Sequence, residues 1–407
     1  MKSTELDDVL NFCKKNSIFY RRKLRYIENF DELVEHKIFT YKDDIRKNPY
    51  QFMTASMNNV RIVFASSGTT GSPTLSFYTL RDLSVIDMLA SRVVRRIKIR
   101  PSDIGVINVP FEMVMPGHIM MRMLILSGAT AVPLGTFMLD ARSIWDFSNR
   151  LNATIYMGYP SALMTLIEKN IDRLDGHTYR LAIMGGEVLS NARRKQLEKI
   201  LKIDIFDSYG MSEIFAPLGG ECVFKCGMHI ASDVVYAEVV DPNTKEPVLS
   251  KKVKEGVLVL TPLKREGMCL LRYWTDDYVI LDERPCKCGE HTPRVIFKGR
   301  LNFAVNLKDR LITIRDIEEA VLDSSDDIWE YAVLIKNREK VRRLKIIIEP
   351  FYGRTLSKGC LDEIRYALGE LFNAEVKVER TKFGSIKRTM PKRKRLFLKD
   401  IRTGGSI

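Results

Sequence analysis

The run Ser66-Ser67-Gly68-Thr69-Thr70-Gly71-Ser72-Pro73-Thr74 gathers hydroxyls and two glycines directly after the apolar stretch Ile62-Val63-Phe64-Ala65. That order reads as a strand feeding a flexible loop. Glycine lets backbone N–H groups come close to a ligand, and Ser and Thr add hydroxyl donors. Such donors suit phosphate oxygens. The common nucleotide loop needs four residues between its glycines and a Lys-Ser/Thr pair behind them. Here only Thr69 and Thr70 separate Gly68 from Gly71, and Ser72-Pro73 follow. Alone, the cluster is what any polar surface turn looks like. Its company changes that.

A second segment, Asp207-Ser208-Tyr209-Gly210-Met211-Ser212-Glu213, follows the strand-like run Ile203–Phe206. The carboxyl ends of strands are where open α/β sheets bind ligands. A Tyr face can stack on a purine. A carboxylate shortly after it can hold magnesium, a hard cation that takes oxygen ligands and bridges phosphates. A third segment, Leu271-Arg272-Tyr273-Trp274-Thr275-Asp276-Asp277, lies further along.

These segments need a frame. Helical spacing of Leu6, Val9, Leu10 and Cys13 opens a helical region over 5–50. A helix is expected over 80–98. Between 103 and 215, strand-like runs (Ile104–Val109, Thr130–Pro133, Thr154–Met157, Leu181–Met184, Ile203–Phe206) alternate with helical stretches. That alternation predicts an α/β core with mostly parallel strands. From 228 to 300 the chain becomes β-rich, with Val234–Val240, Gly256–Pro262 and Tyr278–Leu281 as strands. After Gly299-Arg300 the texture changes to a small α+β unit: a helix over Ile314–Leu322, strands over Tyr331–Lys336 and Leu344–Glu349, a helix over Cys360–Leu371 and a strand over Glu375–Glu379. The fold class expected is therefore α/β, with a large domain over 1–301 and a small α+β domain over 302–407.

Composition narrows the function classes. A chain of 407 residues exceeds one ordinary core, and 45% apolar residues argue against disorder. The start Met1-Lys2-Ser3-Thr4-Glu5-Leu6 lacks an apolar signal core, and seven cysteines then point to a reducing, cytoplasmic setting. The most apolar region, Ile119–Leu134, is interrupted by Arg122 and is too short to span a bilayer, so no membrane association is expected. The net charge of +14 peaks in Lys392-Arg393-Lys394-Arg395. With no finger spacing, stacking motif or helix-turn-helix pattern, a nucleic-acid partner is not expected. That basic run suits equally a solvated terminus or a protein handling polyanionic substrates.

Together the segments resemble the adenylate-forming superfamily of acyl-CoA synthetases, adenylation domains and luciferases. The phenylacetate–CoA ligase-like branch resembles the chain over nearly its full length, through Phe19-Tyr20-Arg21-Arg22-Lys23, Phe39-Thr40-Tyr41-Lys42-Asp43-Asp44, Gly128-Ala129-Thr130-Ala131-Val132-Pro133 and Glu221-Cys222. The resemblance implies that Ser66, Ser67, Gly68, Thr69, Thr70 and Gly71 hold the phosphates of ATP, and that Tyr209 stacks on adenine within a nucleotide site including Asp207 and Gly210. It gives Glu213 to Mg²⁺, Gly186 and Glu187 to the wall shared by adenine and acyl group, and Asp277 to the ribose hydroxyls. A carboxylate suits a diol because it accepts two hydrogen bonds. Arg300 is implied at the ribose or phosphate, and Asn302 at a hinge. Phe111, Val114, Gly185 and Gly186 are implied in the acyl pocket, with Glu112 more readily solvated than turned inward. The catalytic lysine aligns with Lys392, with Lys387 as the alternative.

The sequence also departs from the pattern. The family's loop lysine falls near Ser72-Pro73, and Asp309 stands near an expected glycine that meets the thiol acceptor. The implied reaction activates a small carboxylic acid, of aryl or arylalkyl type, as an acyl-adenylate and passes it to coenzyme A. Transfer to a carrier protein or another acceptor, and a non-catalytic nucleotide binder, are the alternatives; the oligomeric state is open, a homodimer included. Finally, Cys222, Cys226 and His229 are followed about 60 residues later by Cys286-Lys287-Cys288-Gly289. Thiolates and imidazole are what tetrahedral Zn²⁺ prefers, and some members of the branch carry zinc on such residues. Cys222, His229, Cys286 and Cys288 are the expected structural Zn²⁺ ligands, with Cys226 as competitor.

Overall fold

Ser17 accepts a hydrogen bond from Tyr20 N through its hydroxyl and so starts the short helix Ile18–Lys23 behind the amphipathic helix Ser3–Asn16. The computed structural model describes residues 3–66, 73–136, 138–249, 251–307, 310–338, 341–388 and 395–398. Two short helices, Phe30–Glu35 and Lys42–Lys47, complete the helical start. The strands Val60–Ser66 and Thr74–Thr79 pair antiparallel, with Ser66 opposite Thr74. The hydroxyl-rich loop therefore leaves and re-enters a hairpin, a second strand that the sequence reading did not contain. Thr79 and Asp82 then form a capping box on the helix Leu80–Arg96.

One sheet of eleven strands carries the parallel and the β-rich regions together. Its order is 235–240, 253–262, 273–282, 294–300, 228–230, 219–220, 204–209, 181–185, 155–158, 104–108, 130–133. At one end, Ile104–Asn108 pairs parallel with Thr130–Pro133 and Ile155–Gly158, and Leu181–Gly185 joins Ile155–Gly158 the same way. Antiparallel pairing takes over from Asp204–Tyr209 onward through Gly219–Gly220 and Met228–Ile230. Two textures in the sequence thus meet in a single hydrogen-bonded layer. The mixed α/β architecture is the class expected.

Two expected strand limits differ for a physical reason. The strand read as Ile203–Phe206 runs Asp204–Tyr209, so Asp207 and Tyr209 are strand residues. The strand read as Tyr278–Leu281 runs Tyr273–Asp282. Its pairing shifts, with Trp274 opposite Val259 and Tyr278 opposite Val257, so Thr275, Asp276 and Asp277 face Leu258 alone. Asp276 takes a left-handed φ of 61° there. Such bulges bend a strand and re-aim side chains, and they erase the period-two signature.

The chain divides into two compact units that do not follow chain order. The first holds residues 1–158, 178–186 and 206–297; the second holds 159–177, 187–205 and 298–407. Within the second unit, a four-stranded sheet runs 375–380, 343–350, 328–335, 396–398. Helices Ile314–Leu322 and Lys358–Phe372 supply Ile317, Val321, Ile364 and Leu368 to its core. The helix Asn191–Leu201 belongs to the same unit. Glu319 caps its start, accepting from Asn191 N at 2.7 Å and Ala192 N at 2.9 Å. Arg193, 1% exposed, pairs with Glu318, 2% exposed, at 3.3 Å. Arg395 meets that same Glu318 at 3.3 Å and Glu330 at 2.6 Å. The end of the basic run is therefore not a solvated tail at Arg395, and Leu396–Leu398 forms a strand that its charge pattern concealed.

Candidate active site

The loop's two shoulders can be followed, while Ser67, Gly68, Thr69, Thr70 and Gly71 lie outside the described residues. Among the described residues, the buried hydroxyls of Ser66, Thr74 and Ser76 have no hydrogen-bond partner. Buried polar groups are normally satisfied, so donors left open beside this loop fit an oxygen-rich ligand. From the same hairpin, Tyr78 donates its O–H to Ser212 O at 2.6 Å. Arg265 lies 3.6 Å over the Tyr78 ring and pairs with Asp82 at 2.7 Å. Burial pushes the Tyr78 phenol upward, so it stays a donor. The first and second motifs are thereby joined.

The second and third motifs meet directly. Tyr209 donates its hydroxyl to Asp277 Oδ2 at 2.6 Å, and both residues are buried. Thr275 orders the bulge: its hydroxyl donates to Leu258 O at 2.7 Å and accepts from Asp277 N at 3.0 Å. Gly210 follows where a Cβ would lie 2.7 Å from Ala216 Cβ, so the turn after Tyr209 leaves room for no side chain. Arg272 of the third motif plays another part. It is fully buried, paired with Glu238 at 3.0 Å and 4.3 Å over Phe39, and anchors the helical start to the sheet.

Glu213 is 4% exposed, and Lys42 Nζ lies 2.9 Å from its Oε1. The approach is at ion-pair distance but off the angle of a directed hydrogen bond, so this oxygen keeps acceptor capacity. A buried carboxylate oxygen with acceptor capacity left open fits a Mg²⁺ ligand. Lys42 went unassigned in the sequence reading; its only signal was membership of the segment Phe39–Asp44.

The remaining residues fall as follows. Gly185 abuts Ser208, whose Oγ would be 2.9 Å from a Cβ there, and Gly186 has φ of 72°, a conformation that favours glycine. Glu187 accepts from Ser161 N at 2.9 Å and Ser161 Oγ at 2.7 Å, which caps the helix Pro160–Lys169. Asp207 N donates to Glu221 at 2.8 Å. Phe111 and Val114 are half-buried, with His118 Nε2 2.6 Å from Phe111 O, and Glu112 is exposed, as the cost of burying an acid suggested. Arg300 is exposed at the end of Arg294–Arg300, and Asn302 sits in the single turn Leu301–Phe303. Lys392 and Asp309 lie outside the described residues.

A separate cluster forms in the antiparallel part of the sheet. One ligand atom each from Cys222, His229, Cys286 and Cys288 lies within 4.8 Å of the others. Cys222 Sγ and Cys286 Sγ are 3.8 Å apart, and Cys288 Sγ is 3.4 Å from His229 Nε2. Tetrahedral zinc with thiolates at about 2.3 Å requires sulfur pairs about 3.8 Å apart. His229 Nδ1 turns to Thr292 Oγ1 at 3.0 Å, the second bond that orients a metal-bound imidazole. Burial lowers the His229 pKa and so favours the neutral ring that ligates metals. Cys226 is 3.6 Å from Cys286 but takes an N–H from Arg294 at 2.8 Å. The donor set fits zinc.

Residues 7–261 match the family described as AMP-binding enzyme. The chain belongs to that family. It is 30% identical over 338 residues to phenylacetate-coenzyme A ligase of Thermus thermophilus, covering 80% of this chain and 75% of the relative. With the enzyme of the same name from Escherichia coli it shares 27% over 367 residues, 86% and 82% of the two chains. It is thus an AMP-forming ligase of the phenylacetate–CoA ligase-like branch. Among solved structures, 2-hydroxyisobutyryl-CoA ligase in complex with 2-HIB-AMP overlays with a TM-score of 0.84 at 20% identity, over 97% of this chain and 88% of that one. Anthranilate CoA ligase AuaEII overlays at 0.60 with 16% identity, over 81% and 64%. These two show a shared fold. Among the described residues no helix is long and apolar enough to cross a membrane.

Proposed function

We propose that this ligase activates an aryl or arylalkyl carboxylic acid and transfers it to coenzyme A. A carboxylate oxygen attacks the α-phosphorus of ATP, the bond to the bridging oxygen breaks, and pyrophosphate leaves. The coenzyme A sulfur then attacks the acyl carbon as a thiolate, and AMP departs with the bonding electrons. The Tyr209–Asp277 bond carries the reading, because it puts an aromatic face and a diol acceptor side by side. Ser66–Gly71 cradle the phosphates, with Lys392 and Arg300 meeting negative charge near the reacting phosphorus. Mg²⁺ on Glu213 would neutralise phosphate charge. Phe111, Val114 and the Gly185-Gly186 turn line the acyl pocket. The domain over 302–407 turns near Asn302 between the two half-reactions. The zinc set ties strands together and takes no part in the chemistry. The setting is cytoplasmic.

The test is pyrophosphate exchange into ATP over a panel of carboxylic acids, followed by consumption of coenzyme A. Acid-dependent exchange favouring aryl acids, abolished by Lys392→Ala with nucleotide affinity intact, is expected. Exchange without coenzyme A consumption would move the acceptor to a carrier protein or another group. No acid-dependent exchange at all would overturn the reading.

A further inference from the structure

Arg96 ends the helix Leu80–Arg96, and Glu290 follows it by 194 residues, just past Cys288. Their side chains meet as a fork: Arg96 Nε donates to Glu290 Oε1 at 2.7 Å, and Nη2 donates to Oε2 at 2.7 Å. The arginine side chain is only 11% exposed, and a two-bonded guanidinium–carboxylate contact is far more directional than an ordinary surface pair. Neither residue belongs to the nucleotide motifs or to the thiol set.

The turn that delivers Glu290 also carries two of the thiols. Gly289 N donates to Cys286 O at 3.0 Å, and Cys286 N donates to Glu290 O at 3.3 Å. Gly289 has a φ of 90°, which favours glycine. Thr292 then donates its hydroxyl to Glu290 Oε2 at 3.3 Å. That bond uses the only hydroxyl hydrogen, so the Thr292 oxygen accepts from His229 Nδ1, 3.0 Å away. Nδ1 also lies 3.5 Å from Glu290 Oε2. A neutral imidazole with its hydrogen on Nδ1 leaves Nε2 bare, and Nε2 is the nitrogen 3.4 Å from Cys288 Sγ.

We propose that Arg96 and Glu290 are positioning residues of the zinc site. Arg96 fixes the carboxylate, the carboxylate fixes the Thr292 hydroxyl, and the hydroxyl fixes the tautomer and the ring plane of His229. The chain of bonds ends in the last turn of the helix that follows the hairpin, so this helix becomes part of the support of the site. Charge favours the same pairing. Three thiolates outweigh one Zn²⁺ by one negative charge, and Arg96 keeps the nearby carboxylate from adding a second. This inference rests on the zinc reading above.

Competition of the whole chain with a chromogenic chelator of known zinc affinity tests it, alongside the melting temperature of the zinc-free chain. Glu290→Gln and Thr292→Val should each weaken zinc by about 10–100-fold, with Arg96→Met moving in the same direction. Thr292→Ser keeps the hydroxyl and should stay near the wild-type affinity. An ion pair that serves only the fold would lower the melting temperature of the zinc-free variants and leave their zinc affinity unchanged, and that outcome overturns the proposal. Equal zinc affinity of Thr292→Ser and Thr292→Val overturns it too. Co²⁺ in place of Zn²⁺ reads the ligand set: Glu290→Gln should keep the tetrahedral absorption of the wild type. A changed spectrum would make Glu290 itself a ligand and so overturn its positioning role. Failure of the zinc reading looks different: the wild-type chain would take up neither metal, and both readings would fall together.

Discussion

Tyr209 and Asp277, 68 residues apart in the chain, share a buried hydrogen bond of 2.6 Å. The tyrosine ends one strand of the large sheet, and the aspartate sits in a bulge of another. An ionised carboxylate offers about four lone-pair sites, so one phenolic donor leaves it able to serve a diol. Asp277→Ala should weaken ATP and AMP together by about 10–100-fold, the range for hydrogen bonds to a charged group. It should also erase discrimination against 3′-deoxy-ATP. Tyr209→Phe keeps the ring and should cost far less than Tyr209→Ala. Titration of the three variants with ATP, AMP and 3′-deoxy-ATP checks this; unchanged discrimination in Asp277→Ala would remove the ribose from this site.

The thiol–imidazole cluster should hold metal in solution. About one zinc per chain is expected from elemental analysis of the purified protein. Ligands must be deprotonated to bind, and burial pushes the Cys222 thiol up to about 12 without metal. Chelation at mildly acidic pH should therefore strip the site faster than at pH 8 and lower the melting temperature by several degrees. Cys286→Ser should arrive zinc-poor, whereas Cys226→Ser should retain zinc, because that thiol is engaged by Arg294. A chain that purifies without zinc and melts alike with and without chelator would contradict the assignment.

In the second unit, Arg193 and Glu318 are both buried and joined at 3.3 Å. Arg193 also donates to Trp329 O at 2.7 Å and to Gln196 Oε1 at 2.6 Å. Burial lowers the arginine's pKa, which is the electrostatic cost of holding it there. Removing Arg193 leaves buried Glu318 to Arg395 alone and strips Trp329 O and Gln196 Oε1 of a buried donor. Arg193→Met should destabilise the protein by about 3–5 kcal/mol. Pairing it with Glu318→Gln should recover part of that loss, because the two residues are in contact. Denaturant unfolding of the single and double variants reads both; strictly additive losses would mean that the pair is not coupled.

Much was legible before any coordinates. Helical spacing located Leu80–Arg96 and Ile314–Leu322, and apolar runs located Thr130–Pro133 and Leu181–Gly185. These elements are dictated by residues within a few positions of one another, so a local pattern is enough. The motif segments were visible for the same reason, since each needs its glycines, hydroxyls and acids in one short run.

Tertiary structure alone decided the rest. Of the strand carrying Asp277 only Tyr278–Leu281 was legible, and Tyr273–Asp277 was hidden because the bulge breaks the alternation that marks a strand. The last strand was hidden because Arg395 is balanced by Glu318 and Glu330, which are distant in sequence. Lys42 was one lysine among many until the fold set it against Glu213. Charge pairing acts through space and has no sequence period, so no local pattern could have singled out which cation meets which acid.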